Sequence, residues 1–151
     1  MLVVDFLKEE WILADISSAD KEGVLAEMVD AFGDVIKDKA AAVKVLLERE
    51  KLGSTGIGEG IAIPHGKLAG LDRVISVFAR SKQGVEFDAM DGAPVHNFFL
   101  LMAPEDSASM HLKALARISR LLKSRQFRDE LSECATGAEL YKKISEEDEK
   151  Y

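Results

Sequence analysis

The sequence predicts an α/β sandwich, and three observations carry that expectation. Helix-periodic apolar positions occupy both ends of the chain, short extended runs lie between them, and one run, Val95–Met102, is apolar almost throughout. A strand of that kind is covered on both faces, as in sheets with helices packed above and below. The length of 151 residues suggests one domain spanning 1–151. The pattern leaves the strand order open.

The elements follow in order. Leu2, Val3, Val4, Phe6 and Leu7 suggest a turn of helix, and Trp11-Ile12-Leu13 a short strand. Ser17-Ser18-Ala19-Asp20 offers helix caps. Leu25, Met28, Val29 and Phe32 then recur at helical spacing, and Gly33 ends that helix. A second helix is expected from about Lys37 to Glu50, with Ala40, Val43, Leu46 and Leu47 inward and Gly53 as its stop. Strands are expected at Ile61–Ile63 and Arg73–Arg80, with Val85-Glu86-Phe87 as a short edge piece. Asp91-Gly92 marks a turn. After the break at Ala103–Ser107, helices are expected at 107–123, 124–132 and 137–147, the last with Leu140 and Ile144 in register. The charged residues from Glu146 onward are expected to fray.

Composition narrows the function. A hydrophobic share of 47% with 31% charged residues fits a globular chain. The net charge of −7 disfavours nucleic acid and anionic membranes as partners. No apolar run approaches the ~20 residues of a membrane helix, and the N-terminus lacks the pattern of a secretory signal. A single cysteine, Cys134, permits no internal disulfide, so a reducing, cytoplasmic setting is the simplest expectation. Three dispersed histidines and that cysteine show no metal-ligand spacing, and no cofactor is called for.

The densest signal is Arg49–Lys67, where Gly53, Gly56, Gly58, Gly60 and Gly66 surround His65. The dinucleotide fingerprint fails here, because its third glycine position is Ile61 or Ile63. The phosphate loop of nucleotide hydrolases fails as well, because five residues separate Gly60 from Gly66 and Leu68 follows Lys67. A small-residue loop beside a histidine remains. It is either a tight turn with an incidental ring or a phosphate pocket.

In the second reading His65 is a nucleophile that carries a phosphoryl group. Pro64 fixes its own φ and biases Ile63 toward extended backbone, and Gly66 leaves space beside the ring. A neutral imidazole attacks phosphorus without a metal or an auxiliary base. Arg49, in the last turn of its helix, offers a fork of donors for a phosphoryl anion, and Ser54 and Thr55 offer hydroxyl or backbone donors. His111 shares a helix face with Leu115, Ile118 and Leu122, opposite Lys113, Arg117, Arg120 and Lys123. It is either a core histidine or a donor to the phosphoryl group near a helix N-terminus. The basic face opposite is either solvated or meets an acidic partner. His96, on the apolar strand, is given no role.

The stretch Leu46–Glu50 with Gly53–Lys67 resembles the signature of enzyme IIA proteins of the fructose–mannitol class, components of the bacterial phosphoenolpyruvate-dependent sugar phosphotransferase system. The likeness continues in Asp91-Gly92-x-Pro94-Val95-His96, in Leu100–Pro104 and in His111–Ser119. It implies a mixed sheet flanked by helices on both sides. It implies that His65 accepts a phosphoryl group from an HPr-type carrier and passes it to a IIB component or uses it for regulation. It places His111 and Arg49 around that group, with Ser54, Thr55 and Gly56 lining the pocket. The wording of the glycine segment is most similar to the nitrogen-regulatory branch, although Glu59 stands where asparagine is more usual.

Three functions are therefore weighed. The first is a phosphotransferase intermediate, regulatory or sugar-specific. The second is a binding module that recognises a protein without transfer. The third is a hydrolase, for which no Gly-x-Ser-x-Gly elbow is present.

Overall fold

The computed structural model describes residues 1–151. Short 3-10 turns at Val3–Asp5 and Glu9–Trp11 lead into strand β1 (Ile12–Leu13). Helix α1 (Lys21–Ala31) opens where the Asp20 carboxylate accepts the Gly23 N–H at 2.7 Å. Helix α2 (Lys39–Lys51) opens the same way, Asp38 accepting from Ala41 N–H at 3.0 Å. Each cap satisfies an amide that the first helical turn leaves without a partner. The glycine segment supplies three strands, β2 (Gly56–Gly58), β3 (Ile61–Ala62) and β4 (His65–Lys67). Strands β5 (Ile75–Val85) and β6 (Val95–Ala103) follow, then helices α3 (Ala108–Lys123), α4 (Arg125–Glu133) and α5 (Gly137–Asp148).

The strands form one mixed sheet in the order β1-β5-β6-β3-β2, with β4 also paired to β6. Pairing is antiparallel between β5 and β6 and between β2 and β3, and parallel elsewhere. Helices cover both faces. Arg80 of β5 pairs in register with Asn97 and donates to the carbonyls of Leu131 and Cys134 at the end of α4. Gly66 of β4 pairs with Met102 and faces Val45 of α2. Residues 97 and 102 of one strand point to opposite faces, so α4 and α2 lie on opposite sides. The α/β architecture with helices on both sides is thus present, and 39 buried apolar residues form one contiguous core.

Four expectations change. The glycine segment was assigned one strand at Ile61–Ile63 but contains three, because two of them are glycine-rich edge pieces paired through backbone alone. Val85 belongs to β5, which continues past a register shift between Arg80 and Val85 instead of leaving a separate edge piece. Helix α2 buries Ala42, Leu46 and Glu50, while Ala40 is exposed and Val43 and Leu47 are half-buried. Its inner face is therefore turned from the expected one. The charged tail does not fray from Glu146. Asp148 is 2% exposed, accepts the Val3 N–H at 2.6 Å and pairs with Arg117 Nε at 2.6 Å. Apolar periodicity does not register an acid buried against an arginine.

Gly66, next to His65 in β4, is confined by α2 on the other face of the sheet. A Cβ there would sit 2.6 Å from Val45 Cγ1. Gly66→Ala is expected to cost about 1–3 kcal/mol of stability through overpacking. Urea unfolding should show that loss, and Val45→Ala in the same chain should recover part of it.

Candidate active site

The cleft is built around an interruption in one strand-like run. Ile61 and Ala62 pair with Asn97 and Phe98, and after Ile63 and Pro64 the same register resumes, His65 with Leu101 and Gly66 with Met102. Proline has no N–H to give to a ladder. The Pro64 carbonyl still accepts the Leu101 N–H at 2.9 Å, and the Ile63 N–H turns to the Thr55 carbonyl at 3.1 Å. The Ile63 carbonyl lies 2.9 Å from Nδ1 of His65. A carbonyl only accepts, so Nδ1 carries the proton and donates, and Nε2 keeps its lone pair.

His65 and Leu101 share the sheet face beneath α3. His111 is the fourth residue of that helix. Its ring meets that of His65 edge-on, with centroids 5.4 Å apart and planes at 71°. His111 is 8% exposed and its Nε2 has no hydrogen-bond partner. Burial pushes both imidazoles below the ordinary value of 6.5. For His65 the nearby Arg49 guanidinium adds to the depression, while the Ile63 carbonyl and the Glu50 carboxylate work against it. For His111 the His65 ring and Lys67 add to it. Both rings are therefore neutral at neutral pH, as a nitrogen nucleophile and a neutral hydrogen-bonding neighbour must be.

A cleft of about 210 Å³ opens over His65. Arg49, Ser54 and Thr55 line one side, and Ile57, Ile63, Leu115 and Ser119 the rest. The Arg49 guanidinium folds back toward the glycine loop, where Nη1 donates to the Gly53 carbonyl at 2.9 Å and the other donors remain. The loop hydroxyls, however, are already committed. Ser54 Oγ donates to the Phe87 carbonyl at 2.6 Å and accepts the Gly56 N–H at 3.0 Å. The Thr55 hydroxyl donates to Glu50. Gly56 does not line the cleft, and its position admits no side chain because Ala89 would lie 2.9 Å from a Cβ. Ser54 and Thr55 thus shape the wall, and Gly56 packs away from the cleft against Ala89.

His65, His111 and Arg49 converge, although 46 positions separate the two histidines in the chain. His96 stands apart, with Nδ1 2.9 Å from the Ser81 carbonyl and its ring against Gly84 at the β5 register shift. Sequence reading missed Glu50, Ile57 and Ser119. Ser119 follows His111 and Leu115 at steps of four, a spacing that places it on the cleft side of α3. A larger groove, about 680 Å³, runs along the outer face of α2 between Glu22 and Lys51, but aliphatic side chains and mixed charges line it and no histidine does. No group of three or more His, Cys, Asp or Glu side chains is arranged to hold a metal ion, and no helix is long and apolar enough to cross a membrane.

Known proteins resemble this chain in sequence and in fold. The chain is 39% identical over 142 residues to a nitrogen regulatory protein of Bradyrhizobium diazoefficiens, covering 93% of each. It is 37% identical over 150 residues to the fructose-specific EIIABC component of Bacillus subtilis, where it spans only 24% of that protein's length. The crystal structure of the nitrogen regulatory protein IIA-Ntr from Neisseria meningitidis superposes with a TM-score of 0.88 at 31% identity, covering 94% of this chain and 98% of that one. Residues 5–147 match the model of the phosphoenolpyruvate-dependent sugar phosphotransferase system EIIA 2 family, and the chain belongs to that family.

Proposed function

We propose that this protein is a phosphohistidine carrier, with Nε2 of His65 as the acceptor. The observation that carries the reading is the bond from Nδ1 to the Ile63 carbonyl, which leaves Nε2 as the only ring nitrogen with a free lone pair. An HPr-type phosphocarrier protein presents its own phosphohistidine. The Nε2 lone pair forms the new P–N bond as the donor's P–N bond breaks, and that electron pair returns to the donor ring. The Nδ1 proton stays in place, so no base is required. Arg49 meets the negative charge on the phosphoryl oxygens, and His111, near the start of α3, donates to one of them.

The mouth of the cleft is suited to protein partners. Ile57 is half-exposed beside His65, and Leu112 lies one turn before the cleft residue Leu115 at 68% exposure. Leu52 and Met90 flank the glycine loop at 85% and 82% exposure. Apolar side chains so open to water are expected where a surface is covered in turn by other molecules. Donor and acceptor would therefore use one surface in succession, in the cytoplasm.

The regulatory branch is favoured, because likeness to nitrogen regulatory proteins extends over nearly the full length of both chains. A sugar-specific role, with a IIB domain as acceptor, is supported by the EIIABC relative. Offering the labelled protein to fructose- and mannitol-type IIB domains separates the two: rapid, stoichiometric transfer identifies the sugar-specific role.

Incubation with phosphoenolpyruvate, enzyme I and an HPr-type carrier is expected to give one acid-labile, base-stable phosphate, absent in His65→Ala. Label persisting in that variant would refute the assignment. His111→Ala and Arg49→Gln should keep the site but slow transfer about 10- to 100-fold, the worth of one charge-assisted hydrogen bond. Unchanged rates and phosphoprotein lifetime in His111→Ala would make it a core residue only.

The lowered histidine values also set a pH dependence. Below the unfolded value of 6.5 the unfolded chain binds protons that the folded rings resist. The stability these rings allow is present above that pH and is lost as pH falls through it toward the folded midpoints. NMR titration should place both midpoints below 6.5, and label uptake should be flat above that pH and decline below the His65 midpoint.

A further inference from the structure

Behind the cleft, on the inner stripe of α2, lies a carboxylate without a part in the transfer just described. Glu50 is 6% exposed. It accepts the Thr55 N–H at 3.1 Å and also the Thr55 hydroxyl. Lys21, the first residue of α1, brings Nζ to 3.3 Å from it. The same ammonium lies 3.2 Å from Asp88 and 4.8 Å over the Phe87 ring. Burying a carboxylate is costly, and fixing one amide and one hydroxyl does not require a full charge.

What the charge does depends on what it faces. Arg49 precedes it on the same helix and lines the cleft with His65, while Thr55, which Glu50 holds, accepts the Ile63 N–H at 3.1 Å and the Ile63 carbonyl accepts from Nδ1 of His65 at 2.9 Å. The two charges bear on the ring in opposite senses. The His111 ring meets that of His65 edge-on, Lys67 closes the same strand, and Asp88 shares Lys21 with Glu50. A phosphoryl group on His65 carries about two negative charges, and salt screens a buried carboxylate poorly.

We propose that Glu50 sets the transfer potential of phosphorylated His65. Its negative charge opposes the pull of Arg49, so the phosphoryl group is held loosely enough to leave, and Lys21 governs how much of that charge reaches the cleft. The proposal rests on His65 as the phosphoryl carrier. Glu50 takes no proton in the step: the acceptor's lone pair bonds to phosphorus, and the P–Nε2 electron pair returns to His65. Through Thr55 it also positions the cleft wall, but a purely structural anchor would be indifferent to its charge.

The test mixes the wild-type protein with each variant, a catalytic amount of HPr-type carrier and limiting label, and reads the partition of phosphate at equilibrium. Glu50→Gln is expected to hold about threefold more label than the wild type, the order expected for one partly shielded charge. Lys21→Met, which strips Glu50 of its shield, should hold less. NMR titration of His65 should move its midpoint down in Glu50→Gln and up in Lys21→Met. Shifts of the same sign in both variants, or an unmoved midpoint in Glu50→Gln, would overturn the proposal and leave Glu50 as scaffold for Thr55. Wild-type protein that takes no label would refute the carrier reading itself, whereas label that partitions evenly would refute only the role of Glu50.

Discussion

One shared register holds the site in place. Strand β6 lies at the middle of the sheet and pairs on one side with β3 and then, past Pro64, with β4 in unbroken step. The Ile63 carbonyl, on the side of the strand away from β6, meets Nδ1 of His65 while His65 remains anchored opposite Leu101. The ring is thus oriented by backbone on both sides of the proline. The buried face of β6, beneath α3, then brings His111 against it.

The cleft combines groups that pull in opposite directions. Arg49 and Glu50 are consecutive on α2, yet helical geometry sends one to the cleft and the other to the core, about 100° apart around the axis. Positive and negative charge therefore act on His65 from the same turn of helix. Ser54, Thr55 and Gly56 look like phosphate ligands in the sequence, but their polar groups are taken by Phe87, Glu50 and one another. Ser54 and Thr55 give the cleft a fixed wall.

Much of this was legible in the sequence, and the exceptions have physical causes. Helices α1 and α3 were readable because their apolar spacing is regular, and α1 also because its Asp20 cap is plain. His65 and Arg49 stood out because they bracket an unusual run of glycines with one proline, and His111 because it lies on the apolar face of its helix. Strands β2 and β4 were not, because a glycine-rich strand is defined by its backbone partners, here β3 and β6, and has no side-chain pattern of its own. The turned face of α2 and the docked tail share one cause. In both, a buried acid, Glu50 or Asp148, takes a place that hydropathy would give to an aliphatic residue.

The close contact between Gly66 and Val45 also bears on how a partner would read this protein. With a bare backbone pressed against α2, the helix carrying Arg49 packs closely on the strand carrying His65. A phosphoryl group arriving on that ring would find its surroundings already set and would leave them in place. The two forms would then share one outline and differ in electrical sign at a single spot on the surface, the cleft beside Ile57. Any molecule that distinguishes them would have to sense potential at that spot, and salt concentration would tune the discrimination more than temperature would.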